Sequence, residues 1–174
     1  MAKPNTPEQP DRVDSIIEQW NREEPELDVS AMAIIGRIGR LERLLRPRLN
    51  DVFAHHGLES WEFDVLATLL RSGTPYQLTP GALLESTMVT SGAMTNRIDR
   101  LADRGLVERR KNPADKRQVL VALTAKGRRT VGAAVVDHAA NESTLLAALD
   151  RTQQAQLISL LRTLHRSLDE PDPG

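Results

Sequence analysis

The feature that most restricts how this chain can fold is a change of period at Gly105. Before it, apolar residues recur every three or four positions, as on one face of a helix. After it, they fall in short runs of β type. Residues 60–70 read as a helix with Trp61, Val65, Leu66 and Leu69 apolar, closed by Arg71-Ser72-Gly73-Thr74-Pro75. Thr79-Pro80 then opens a short helix to about Ser86, a hydroxyl cap followed by a proline whose missing N–H is harmless in the first turn. Thr90 or Ser91 caps the next helix, which runs to about Arg104 with Met94, Ile98 and Leu101 on one face. Residues 106–110 and 118–123 are the β-like runs, and residues 111–117 between them hold turn-forming and basic side chains. Two short helices joined by a tight turn must therefore lead into a hairpin with a long charged tip.

Helices are expected on both sides of this block. Residues 1–10 contain three prolines and no periodic pattern, so they read as a disordered tail. Residues 11–23 carry Val13, Ile16, Ile17 and Trp20 at helical spacing, and Pro25 ends that helix. Asp28 or Ser30 caps a longer one toward His55 with Ile34, Ile35, Ile38, Leu41, Leu44, Leu45, Leu49 and Val52 apolar, and Pro47 is expected to kink or interrupt it. Thr124 caps a helix through Val131, Val135 and Val136, and Asp150 or Thr152 begins a last one through Leu157, Leu160, Leu161 and Leu164. The expected fold is mainly α with a small β-wing: a winged helix-turn-helix over residues 59–125. Flanking it are N-terminal helices at 11–58, read as pocket lid and dimerisation segment, C-terminal dimerisation helices at 126–168, and a tail at 169–174. The terminal helices are more apolar than one small wing domain can cover, which points to a two-fold symmetric homodimer.

The net charge of −1 conceals a strong segregation. Residues 88–129 hold eleven Lys/Arg against four Asp/Glu, a local excess of +7, while residues 1–30 and 130–174 are both acidic. A compact basic patch gains affinity for phosphates by releasing their condensed counterions, so it is the electrostatic footprint of a nucleic-acid partner. The absence of cysteine removes disulfides and thiolate chemistry. No run of apolar residues is long enough for a membrane span and no basic start leads into one, so a cytoplasmic protein without membrane association is expected. The four histidines form no H-E-x-x-H, and there is no Walker loop, dinucleotide turn or serine elbow. Neither an enzymatic role nor a cofactor or metal is expected.

In a helix-turn-helix the second helix enters the major groove, and here its outer face carries Gly92, Thr95, Asn96 and Asp99. Ser91, Thr95 and Asn96 are candidate contacts to base edges or phosphates, asparagine being able to pair bidentately with adenine, and Arg100 joins them. Lys116 and Arg117 at the hairpin tip suit the narrow, negative minor groove alongside. Asp115 is expected to orient Arg117 or a recognition-helix arginine such as Arg100.

A second group lies on the same segment. Asp64 stands in an apolar helix, where a buried or half-buried acid needs a cation or a shifted pKa. Arg97 flanks the inward stripe of the recognition helix, and Arg109 in the first wing strand can face the same region. Such a network would let an anion compete with Asp64 for the arginines and move the recognition helix.

The order of helix pair, Gly105-Leu106-Val107 closure, basic hairpin and Leu123-Thr124-Ala125-Lys126-Gly127 exit resembles the MarR family of bacterial transcription factors. The residues that carry the likeness are those from Ser91-Gly92-Ala93-Met94-Thr95-Asn96 through Arg97-Ile98-Asp99-Arg100-Leu101, and Pro113-Ala114-Asp115-Lys116-Arg117. The resemblance spans roughly residues 30–168 and implies a homodimer whose terminal helices interlock, a pseudo-palindromic double-stranded DNA operator and repression. An added N-terminal helix with Trp20, together with Asp64, Arg97 and Arg109, resembles the urate-responsive subgroup. That likeness implies that Trp20 and Arg97 help hold the ligand and that Asp64 and Arg109 transmit the change. Related regulators answer to phenolic acids or tricarboxylates, and two arginines accept any of these anions. A winged-helix adaptor that binds protein is the alternative from another class, but it leaves the basic patch without a purpose.

Overall fold

The structure, a computed structural model, describes residues 9–86, 91–113, 115 and 117–169. Its elements are α1 (Arg12–Glu23), α2 (Ser30–His55), α3 (Ser60–Arg71), β1 (Gln77–Leu78), α4 (Pro80–Ser86), α5 (Ser91–Asp103), β2 (Val107–Lys111), β3 (Val119–Leu123), α6 (Ala125–Leu145) and α7 (Arg151–Asp169). The chain is mostly helical with one small sheet and divides into two units, residues 1–48 and 49–174.

In the first unit the Asp11 carboxylate caps α1 by accepting from the backbone N–H groups of Val13 at 2.6 Å and Asp14 at 3.1 Å, and Asp14 reciprocates on the Asp11 N–H at 2.7 Å. Arg37 of α2 then clamps both acids, with Nε 3.0 Å from Asp11 and Nη2 2.5 Å from Asp14. Its hydrogen bond holds the Asp14 carboxyl below the usual carboxylate range. Beside the clamp Val13 packs on Gly36, where an added Cβ would stand 3.2 Å from a Val13 methyl.

Pro47 lies inside α2, and of the kink or interruption expected there the interruption does not occur. Proline removes a single rung, and a helix of 26 residues keeps enough rungs on either side to carry through.

The second unit is built on the faces that the period predicts. Leu66, Leu69, Leu83, Ile98, Leu101, Leu106, Val121 and Val131 are fully buried, and Phe53 stacks on Phe63 at 4.2 Å between ring centroids. Two glycines end helices in the same way. Gly57 and Gly105 adopt left-handed φ of 65° and 66°, and the residue after each donates back across the last turn, Leu58 to Phe53 at 2.9 Å and Leu106 to Leu101 at 2.9 Å. Two of the expected caps are in place, Thr79 accepting from the Ala82 N–H at 3.1 Å and Thr124 from the Gly127 N–H at 3.0 Å, while the cap expected at Thr90 or Ser91 lies outside the described residues.

The wing has one strand more than the sequence suggests. β1 pairs antiparallel with β3, Gln77 opposite Ala122, so the sheet order is β1-β3-β2 with β3 in the centre. Two residues are too few to show a period, and β1 exists because β3 offers it an edge. β3 is correspondingly buried from Leu120 to Leu123 while β2 turns Glu108, Arg109, Arg110 and Lys111 outward.

Candidate nucleic-acid interface

α5 is set by its buried stripe. Met94, Ile98 and Leu101 are at most 2% exposed, which fixes the opposite face toward solvent. Thr95, Asn96, Asp99 and Arg100 lie there, exposed, and Arg97 is intermediate at the edge. Ser91 begins the helix, but its side chain and the whole of Lys116 lie outside the described residues. Arg117 is exposed at the hairpin tip.

Asp115 meets Arg117 at its backbone. The Asp115 Oδ1 accepts from the backbone N–H of Arg117 at 3.0 Å, and the Arg117 side chain is exposed. Asn112 N–H bonds the Gln118 carbonyl at 3.0 Å and closes the hairpin beneath it. Arg100 is held elsewhere: its Nη2 lies 3.0 Å from Glu59 at the start of α3.

The ligand network is rearranged in a similar manner. Arg109 does not join Asp64; it pairs with Asp99 of α5 at 2.6 Å and so ties the first wing strand to the recognition helix. Asp64 is exposed rather than buried. Its carboxyl is nevertheless raised in pKa by desolvation against the packed atoms on one side, opposed by the charges of Arg97, Arg71 and His138. Asp64 and Arg97 are thus electrostatic neighbours. Trp20, in the first unit, is 41% exposed and shares a shallow recess with Ile16, Gln19 and Glu23. That unit also holds an open cleft of about 820 Å³ whose lining includes Val13, Ile16, Ile35, Arg12, Arg40 and Arg43.

The buried acid of α3 is Glu62, 1% exposed, which the sequence reading passed over. One oxygen accepts from the Glu59 N–H at 2.9 Å and pairs with Arg104, whose other nitrogen reaches the Gly57 carbonyl at 2.6 Å. The position was readable. Glu62 precedes Val65, Leu66 and Leu69 by three, four and seven residues, at the centre of the apolar stripe, while Asp64 lies at its margin.

The basic patch is accordingly structured. Arg100, Arg104, Arg109 and Arg110 pair with Glu59, Glu62, Asp99 and Glu108, and Arg128 lies over the Tyr76 ring at 4.5 Å. All four paired arginines remain between 41% and 53% exposed, so each keeps donors at the surface. Among the described residues no group of acids and histidines could hold a metal ion, and no helix is long and apolar enough to cross a membrane.

Comparison with known proteins agrees with this geometry. The MarR family model matches residues 56–118, the stretch from the end of α2 to the wing tip. The HTH-type transcriptional regulator PecS of Dickeya dadantii is 34% identical over 156 residues, covering 90% of this chain and 94% of its own. Among solved structures, Sco5413, a MarR family transcriptional regulator from Streptomyces coelicolor, is 30% identical with a TM-score of 0.68 over 83% of this chain and 99% of that one. A mutant MarR from Escherichia coli, solved with operator DNA, is 27% identical with a TM-score of 0.65 over 83% and 96%. PecS and Sco5413 are transcriptional regulators. With its buried α5 stripe, outward polar face and three-stranded wing, this chain belongs to the MarR family of DNA-binding transcriptional regulators.

Proposed function

We propose that the chain acts in the cytoplasm as a homodimeric repressor that grips a pseudo-palindromic operator and releases it when a small anion, urate in the first instance, binds. The observation that carries the DNA half of this reading is the exposed Thr95, Asn96 and Arg100 face of α5 beside a wing that presents Arg117 outward. The E. coli MarR mutant of the same fold was solved on operator DNA. Ser91, Thr95 and Asn96 read base edges or phosphates in the major groove, and Lys116 and Arg117 enter the minor groove. Replacing Arg117 by alanine should weaken operator binding by about 1–3 kcal/mol in a titration at fixed salt.

Dimerisation is supported by apolar surface that stays exposed among the described residues. Ile34, Ile35, Ile38 and Leu41 on α2 are exposed, and so are Leu157, Ile158, Leu160 and Leu161 on α7, a helix with no buried residue. Surfaces of that kind mark association sites.

For the switch, Arg97 is the group through which an anion reaches the recognition helix, since it stands within the field of Asp64. Arg109 then acts through Asp99 rather than through Asp64, which keeps wing and recognition helix moving together. The family likeness gives Trp20 a part in holding the ligand. Urate should lower operator affinity and quench tryptophan emission saturably, and Arg97→Ala or Trp20→Ala should abolish the response. Selection of bound duplexes from a random pool with and without urate tests both halves. Unchanged recovery of duplexes, with no quenching at millimolar urate, would move the ligand to a phenolic acid or a tricarboxylate.

A further inference from the structure

Arg97 and Arg100 on α5 and Arg104 in the turn just after it are spaced three and four apart, so they continue along one edge of the helix beside its buried stripe. That edge meets the first turn of α3. The Arg97 guanidinium lies 5.5 Å from the Trp61 ring centroid and that of Arg100 lies 4.7 Å from it. Glu59 binds both partners at once, one oxygen accepting from Arg100 Nη2 at 3.0 Å and the other from the Trp61 indole N–H at 2.6 Å. Arg104 finishes the ladder on Glu62. The packing of α5 does not require the upper two contacts, because Met94, Ile98 and Leu101 already seal its inner face.

We infer that Trp61 and Glu59 are positioning residues for DNA recognition, a platform that fixes Arg100 before the duplex arrives. The ring sets the plane of the guanidinium and the carboxylate takes one nitrogen, which leaves the remaining donors directed past the helix edge for a phosphate. An arginine already ordered loses less rotamer freedom on binding, an effect of about three- to tenfold in affinity. The inference rests on the reading of Arg100 as a DNA contact, and its test separates the two.

Affinities of the full-length protein for a duplex selected from a random pool by the wild type should be compared at one salt concentration, with thermal melts confirming that each variant folds. Arg100→Ala should weaken binding about tenfold. Trp61→Leu should weaken it about three- to tenfold, and Trp61→Leu/Arg100→Ala no more than Arg100→Ala alone, because the platform acts only through the arginine. Trp61→Phe keeps a flat ring face and should restore most of the affinity lost in Trp61→Leu. With Trp20 replaced by phenylalanine, the remaining Trp61 emission should change on duplex addition, and Arg100→Ala should remove most of that change.

If Arg100→Ala leaves affinity unchanged, the assignment of Arg100 fails and the platform with it. If Arg100→Ala weakens binding but the Trp61 and Arg100 effects simply add, the platform alone is refuted. Tighter binding by Glu59→Gln would also overturn it, since the carboxylate would then be withholding Arg100 from DNA rather than presenting it.

Discussion

Gly127→Ala is expected to destabilise the protein by about 3 kcal/mol or more, lowering the melting temperature by roughly 6–12 °C at fixed protein concentration. The cause is backbone, not side chain. A Cβ on Gly127 would stand 1.9 Å from the Leu106 carbonyl oxygen and 2.9 Å from its carbon, and neither atom can rotate away. The same oxygen accepts from the Thr124 N–H at 3.1 Å, and the Thr124 hydroxyl donates to the Gly105 carbonyl at 2.8 Å. The start of α6 is therefore pressed against the turn that ends the recognition helix and begins the wing. Thermal unfolding by circular dichroism reads the effect, and a melting temperature within about 2 °C of wild type would show that the turn yields freely. Because Gly105 and Thr124 set where the wing leaves α5, DNA affinity should fall along with stability.

The second large effect is expected at Arg104. Arg104→Met leaves the buried Glu62 carboxylate without its cation. Stripping one partner from a fully buried pair costs about 3–5 kcal/mol, and the half-exposed position of Arg104 lowers the expectation to about 2–3 kcal/mol. Adding Glu62→Gln should recover part of the loss, because glutamine can still accept the Glu59 N–H and carries no charge to leave unpaired. Denaturant unfolding of the single and double variants measures the recovery. A double variant as unstable as the sum of its parts would mean that lost packing, and not an orphaned charge, sets the cost.

These two positions also mark how far the sequence was legible. The Leu-Thr-x-x-Gly exit and the Gly105 stop are local chemistry: a cap hydroxyl, a left-handed residue and a close backbone approach all lie within a few residues of one another. The change of period at Gly105 gave the order of helices and hairpin for the same reason. β1 was not legible, because two residues acquire strand character only from the partner that β3 provides. The arginine edge was half legible, in that the three- and four-residue spacing of Arg97, Arg100 and Arg104 was visible but the platform of Glu59, Trp61 and Glu62 some forty residues earlier was not. Asp64 drew attention as an acid in an apolar helix, yet the wheel centred on Val65, Leu66 and Leu69 puts Glu62 inside and Asp64 at the margin. Arg109 was expected at Asp64 and is found on Asp99, because a residue on β2 is placed by its register against Val121, which only the folded sheet sets.

The central claim is that α5 and the wing together read duplex DNA. Its most direct test is the affinity of the intact protein for duplexes selected from a random pool, measured across salt concentrations for wild type, Asn96→Ala and Arg117→Ala. A steep linear fall of log affinity with log salt is predicted for the wild type, with a slope shallower by about one for Arg117→Ala. Asn96→Ala should keep the salt slope and lose discrimination between selected and random duplexes. Failure to bind any duplex at low salt would contradict the account.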